Sequence, residues 1–541
     1  MQCRPSYRIL SQLTILSAIG LTGVGCQSNS DSPTLAARSG TIVITAFADP
    51  NSLFPPLALN IEARQATELI YEYLADVGVG MNTVGDSGFV KQLSTGWRWS
   101  SDSSSIAFAI EPRARWHDGT RVTSQDVAFS FSVYRNPSVG STLVTALADI
   151  DSVSTPDPST AVFWFARRGP RQFYTAASMM LILPKHRLDT IPPDSLRTRA
   201  VMQAPSGSGQ YRFGTWKKGS SFEVRAVEDH HRGRPSNDRI VWSIVPEYKS
   251  AVLRLLGDAA DVLANVRPES VDDLTRNGKF NLISLPGMDY VFMQLNLKNP
   301  ILGSREMRRA LTMALDRRSM VQSLFGSLAA VSIGPAVRAF PTTDTSLAQI
   351  PFDRPGAERI LDSLGWHRDD GGMRSRNGQP LKFRMLVPVS SQSRMRMAVL
   401  IQEQLRAAGV EVVAEQMDYA AFSARQGARD FDAALASWTL GSSPEAVRVT
   451  WTSGAAEPGG LSYGEYRNPA FDRLVDSALA ARNLSQSREL FRGANQLIID
   501  DAPAIWLYEP VTVLAVHRRL STAPMRPNAW WLGIAGWATA N

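Results

Sequence analysis

Three stretches of this sequence carry residue types whose spacing suits chemistry. Gly460-Leu-Ser462-Tyr-Gly464 matches the G-x-S-x-G pattern that presents a nucleophilic serine in secreted hydrolases. Asp229-His230-His231 sets a carboxylate beside two imidazoles, the ligand types of a metal site. Trp116-His117-Asp118-Gly119 places a histidine beside an acid on a turn. Local context argues against each. A nucleophile elbow needs a buried strand before the serine and a helix directly after it, whereas EPGG precedes Ser462 and EYRNP follows the motif. Adjacent histidines on a strand point to opposite faces, so the two imidazoles are expected not to converge, and no metal is assigned. His117 and Asp118 have no nucleophile or metal ligand near them in the segment. Asp118-Gly119 reads as a turn, and Thr123-Ser-Gln-Asp126 as a capping box with Thr123 at the N-cap. No catalytic residue and no cofactor are called for, and the chain is not expected to be an enzyme.

The elements that would position such residues belong to an exported globular protein. A length of 541 residues suggests about two to four domains, and 44% hydrophobic with 20% charged residues is ordinary for a folded chain. The formal charge is +7, but basic residues are scattered among acids, so no nucleic-acid partner is expected. Arg4 and Arg8 precede an uncharged, mostly apolar run from Ile9 to Gly25, which reads as a signal peptide over residues 1–25. Leu21-Thr-Gly-Val-Gly-Cys26 is similar to a bacterial lipobox, with Gly23 where that motif usually has Leu. Cys26 is therefore the candidate lipidation site, with a plain signal peptide cut near the same point as the alternative. Residues 26–39 then form the lipidated cysteine and a polar tether. The two cysteines, Cys3 and Cys26, leave no disulfide for the mature chain.

From Thr41 onward strand and helix patterns alternate. TIVITAF is β-prone, ARQATELIYEYLADV is helix-like, and Val224–Val227 and Ile240–Val245 read as strands. Arg305–Phe325 and Arg394–Ala408 have apolar residues at helical spacing. The second stops at Gly409 and passes into VEVVAEQ, a helix, glycine, strand succession expected of α/β layers.

Several blocks, in order, resemble the bacterial extracellular solute-binding proteins of family 5, the oligopeptide, dipeptide and nickel binding group. They are WHDGTRVTSQDVAFSF, LPKHRL, the stretch from Gly207 to Pro246, FMQLNLKNPILGSREMRRALTMALDRRSMV, AERILDSLGWHRDDGGMRSRNGQPLKFRMLV and GARDFDAALASWTLG. Each block is weak alone, and their order over roughly residues 41 to 520 carries the resemblance. It implies an α/β, two-lobed periplasmic-binding-protein fold of type II, in the large peptide-binding subclass. Lobe I would take residues 40–290 plus 507–541 and lobe II residues 291–506. Hinge strands would lie near Tyr290–Asn296 and Ile505–Pro510, with the ligand in the cleft between the lobes. The implied role is the substrate-binding component of an ABC importer, delivering a peptide or peptide-like solute to permease and ATPase subunits. The protein would be a monomer held by its lipid anchor to a bacterial membrane, in the periplasm or at the cell surface.

The resemblance also points to ligand-binding residues. The strand Phe431–Trp438 and its continuation would face the ligand, which makes Ser437, Trp438 and Thr439 candidates, with Phe54 as a cleft wall. Arg308 and Asp316 match family positions read as scaffold. Peptide-binding members hold the peptide ammonium with an Asp three residues after the Trp, but here that position is Gly441, and Thr439–Ser443 contains no acid. A buried ammonium without a carboxylate is costly. The ligand is therefore expected to be a blocked peptide or an uncharged polar solute, unless a relocated acid serves, with Asp49 as one candidate. An oligosaccharide or metal-chelate carrier, a signal receptor and, more remotely, a secreted serine hydrolase stay open as alternatives.

Overall fold

The computed structural model describes residues 40–167, 169, 171–202 and 205–539. The signal peptide, Cys26 and the tether lie outside the described residues. Two mixed sheets organise the chain. The first contains β1 (Thr41–Ala46), β2 (Tyr211–Lys217), β3 (Ser221–Ala226), β4 (Arg239–Ile244), β5 (Val262–Leu263), β6 (Phe280–Leu285) and, far later, a strand from Thr512 to His517. The second contains β7 (Asp289–Leu295), β8 (Ala329–Val331), β9 (Lys382–Pro388), β10 (Glu411–Met417), β11 (Ala433–Thr439) and β12 (Ala504–Pro510). With Thr512–His517 as β13, the orders are β6-β13-β5-β1-β4-β3-β2 and β8-β12-β7-β11-β9-β10.

β1 explains why TIVITA is apolar at nearly every position. It lies inside its sheet, parallel to β4 over its full length, and all six residues are buried. Ile42, Ile44 and Ala46 pack into one core, and Val43 packs into another on the opposite face. A strand covered on both faces has no reason to alternate. The second sheet has its own core, in which Met293, Leu295, Met385 and Leu435 meet the helix Arg305–Met313 through Met307, Ala310 and Leu311.

The helix Ser124–Arg135 begins as its sequence requires, with the Thr123–Asp126 capping box formed and the Asp126 carboxylate accepting the Thr123 N–H at 2.8 Å. His117 and Asp118 do not work as a pair. Asp118 meets His186 at 2.9 Å, while His117 reaches the Gly209 carbonyl at 2.9 Å and accepts the Gly207 N–H at 3.2 Å. Both side chains fasten chain segments together.

The chain passes between the sheets twice, through residues 286–288 from β6 to β7 and through Val511 from β12 to β13. The stretches Tyr290–Leu295 and Ile505–Pro510 are thus strands of the second sheet, paired with each other, and the crossings lie just outside them. A Cβ on Gly287 would fall 1.8 Å from the Pro510 carbonyl oxygen, so the two crossings approach as closely as glycine permits. Gly287→Ala is therefore expected to cost about 1–3 kcal/mol in urea-induced unfolding, and an unchanged midpoint would contradict this reading of the crossing.

Candidate functional site

A cavity of about 330 Å³ opens where the two sheets meet. The first sheet and its helix Ile61–Ile70 contribute Thr45, Phe47 and Glu62; the second contributes Thr439 to Ser442, which continue β11. It lies beside both crossings, with Met288 and Asp289 in its wall on one side and Thr512, which follows Val511, on the other. The Leu440 N–H donates to the Met288 carbonyl at 2.8 Å, tying the end of β11 to the first crossing. Asn528 Nδ2 donates to Ser442 Oγ at 2.6 Å across the mouth. A smaller cavity of about 170 Å³ lies around Asp76 and Arg526 and has no residue of the second sheet in its wall.

Strand parity sets Trp438 apart from Ser437 and Thr439. Along β11, Ser437 and Thr439 are exposed while Trp438 turns to the other face, where it stacks on Tyr463 with ring centroids 6.2 Å apart. Thr439 lines the cavity; Trp438 and Ser437 are not among its lining residues. Phe54 is buried in the first core. Asp49 accepts the Trp216 indole N–H at 2.7 Å and the Gly219 N–H at 2.8 Å, so its carboxylate fastens the β2–β3 turn. Gly441 does line the cavity, and a Cβ there would meet nothing within 4 Å.

The acid that sequence reasoning missed is Asp289. It stands opposite Thr439 in the antiparallel β7–β11 pair, and the Thr439 hydroxyl donates to its carboxylate. Burial pushes the Asp289 carboxyl up, partly offset by that hydrogen bond. Its only signal in the sequence was a charged residue heading the apolar run DYVFMQL. Glu62, in the first turn of its helix, is a second acid in the wall and is 7% exposed.

The other chemical motifs resolve differently. Ser462 lies in a loop, is buried, and its Oγ has no hydrogen-bond partner among the described residues. His230 and His231 require a correction. They sit in the turn after β3 rather than on a strand, and their rings approach to 4.2 Å. With Glu72 they bring three ligand-type atoms within 4.8 Å of one another, so the imidazoles do converge. The cluster already holds a cation, because Arg232 Nε donates to Glu72 Oε1 at 2.8 Å. The histidine Nε2 atoms meet the Ser208 and Gln92 carbonyls at 2.8 and 3.2 Å. This is a buried charge clamp inside the first lobe.

The family description "Bacterial extracellular solute-binding proteins, family 5 Middle" matches residues 88–459. The chain belongs to this family. Over 97% of its length it is 24% identical to the oligopeptide-binding protein AppA of Bacillus subtilis, covering 98% of that protein. It is also 24% identical to the probable D,D-dipeptide-binding periplasmic protein DdpA of Escherichia coli, over 91% of this chain and 93% of that one. Among solved structures, HbpA2 from Haemophilus parasuis superposes with a TM-score of 0.80 at 20% identity, over 92% of this chain and 99% of that one. The two-lobed fold expected of a family 5 protein is the fold found, and among the described residues no helix is long and apolar enough to cross a membrane.

Family membership gives the WHDG block of the sequence its role as lobe I framework, and His117 makes that role measurable. Burial is the main cause that pushes its imidazole down to about 4, against the pull of the Gly209 carbonyl. That lies below the usual 6.5 of an unfolded histidine, so the unfolded chain takes the proton first as pH falls. The contribution is complete above about pH 6.5, is lost as pH drops toward 4, and amounts to roughly 3 kcal/mol. His117→Gln is expected to be the less stable protein at pH 7, with the gap to wild type narrowing toward pH 4 in denaturant titrations. A gap independent of pH would contradict this.

Proposed function

We propose that this chain is the substrate-binding component of an ABC importer and captures a peptide or peptide-like solute in the cavity between its lobes. The observation that carries the reading is that residues of both sheets, with Met288 of one crossing and Thr512 next to the other, line one cavity. A solute held there contacts both lobes only when they are closed, so binding shifts the population toward closure about residues 286–288 and 511. Lobe I then spans residues 40–285 with the segment from 512, and lobe II the residues between the crossings. A membrane permease, with its ATPase, recognises the closed form. In this reading no bond is made or broken in the solute.

The relatives support the peptide assignment, since their names refer to oligopeptides and a D,D-dipeptide. Thr439 and the backbone of residues 440–442 provide the polar edge for the solute. Trp438 and Phe54 stiffen the walls from behind. Lipidated Cys26 holds the monomer to a bacterial membrane, in the periplasm or at the cell surface, through its two acyl chains. The test is thermal unfolding of the full chain in detergent against tri- to nonapeptides, oligosaccharides and nickel chelates. A peptide at a hundred times its dissociation constant adds about 2.7 kcal/mol. Stabilisation by sugars or chelates, and by no peptide, would overturn the assignment.

A further inference from the structure

Among the described residues, every ion pair but one joins groups of the same lobe. The exception sets Arg171 Nη1 2.5 Å from Glu445 Oε2. Arg171 immediately precedes the helix Gln172–Ser178 of the first lobe, and Glu445 the helix Ala446–Trp451 of the second. The side chains are 32% and 17% exposed, so both ions are partly withdrawn from water. Glu445 has no other cationic partner among the described residues, and the rest of the guanidinium meets neutral groups, Met179 Sδ at 3.7 Å and the Tyr174 ring at 6.0 Å. The pair is tied to the solute cavity without entering it. Tyr174 lines that cavity, and its hydroxyl is in hydrogen-bond contact with Ser442, which stands three residues before Glu445 in the other lobe. The polar contacts across the cleft thus converge on residues 442–445, where Ser442 also accepts from Asn528. A separate groove of about 380 Å³ borders the pair, with Asp149 and Thr175 from the first lobe and Arg448 and Asp476 from the second. Water in such a groove resolvates the two ions as the lobes part, so the pair favours contact between the lobes and still releases.

We propose that Arg171 and Glu445 form a latch between the lobes, which biases the protein toward the closed form before a solute arrives and so sets the affinity for every solute by the same factor. This rests on the reading that a solute is held between closing lobes. Neither residue lines the cavity, so neither distinguishes one solute from another. The latch acts on the equilibrium between open and closed forms instead. An apparent dissociation constant equals the intrinsic one divided by the fraction of molecules in the competent form. Removing the ion pair lowers that fraction, and the bound solute escapes sooner.

Small-angle neutron scattering of the unliganded full chain, in contrast-matched detergent, reads the latch without a solute. Calorimetric titration with trialanine and with N-acetyl-trialanine reads its effect on binding. Arg171→Gln and Glu445→Gln are each expected to enlarge the radius of gyration of the unliganded chain and to weaken whichever of the peptides binds by one common factor, about 3- to 10-fold. The charge-reversed double variant, Arg171→Glu with Glu445→Arg, recovers most of both effects, which a folding defect would not do. Arg448→Gln breaks the 3.0 Å pair with Asp476, beside the same groove but inside the second lobe, and leaves both readouts at wild-type values. Unchanged scattering in the single variants, or unequal factors for the two peptides, would overturn the latch while leaving the peptide reading in place. An enlarged radius in the single variants, with neither peptide bound to any form, would uphold the latch and overturn the peptide reading. Unchanged scattering with neither peptide bound would overturn both.

Discussion

Everything in this molecule hangs on the place where two strands leave one sheet and enter another side by side. At Gly287 and Pro510 the backbones approach so closely that a single methyl group would strike a carbonyl oxygen. The close approach ties β7 and β12 into one sheet while β6 and β13 pair in the other. Two large units are thereby joined by two short extended segments and little else in sequence. Such a connection resists stretching and shear but permits a change of angle, because only a few backbone torsions must move. The cavity lies directly against it, with residues of both sheets in its wall.

The distribution of charge separates framework from function. Within the lobes, several buried or half-buried carboxylates have guanidinium partners: Glu72 with Arg232 and Asp76 with Arg526, both at 2.8 Å, and Asp261 with Arg519 at 2.6 Å. Glu509, at the end of β12, has Arg338 at 2.8 Å. Breaking such a pair leaves a bare charge in low dielectric, which is why these arrangements hold chain segments in one register. Asp289 and Glu62, in the wall of the cavity, have no guanidinium partner among the described residues.

Much of the architecture was legible in the sequence because it depends on local pattern. The continuous apolar run of β1, the Thr123–Asp126 cap and the succession around Gly409 each follow from neighbours within a few residues. The apolar runs that became β7 and β12 were recognisable as buried strands, although the turning points lie a few residues outside them, at a glycine and a valine that carry no pattern. What was not legible depends on contacts made over long separations. Asp289 meets Thr439 across 150 positions, and Arg232 meets Glu72 across 160. Parity was a second blind spot. Ser437, Trp438 and Thr439 are consecutive, but a strand presents only alternate side chains to one face, and Trp438 stacks on Tyr463 while Thr439 lines the cavity. The histidine pair was misread for a similar reason, since the opposite-face rule holds on strands and the pair lies on a turn.

The central claim is that the two lobes close about the double crossing when the cleft is filled. Small-angle X-ray scattering of the chain, recorded with and without a saturating stabilising peptide, measures this most directly. The account predicts a smaller radius of gyration and a shorter maximum dimension in the bound state, with the internal scattering of each lobe unchanged. Identical profiles for a peptide shown to bind would contradict closure about residues 286–288 and 511.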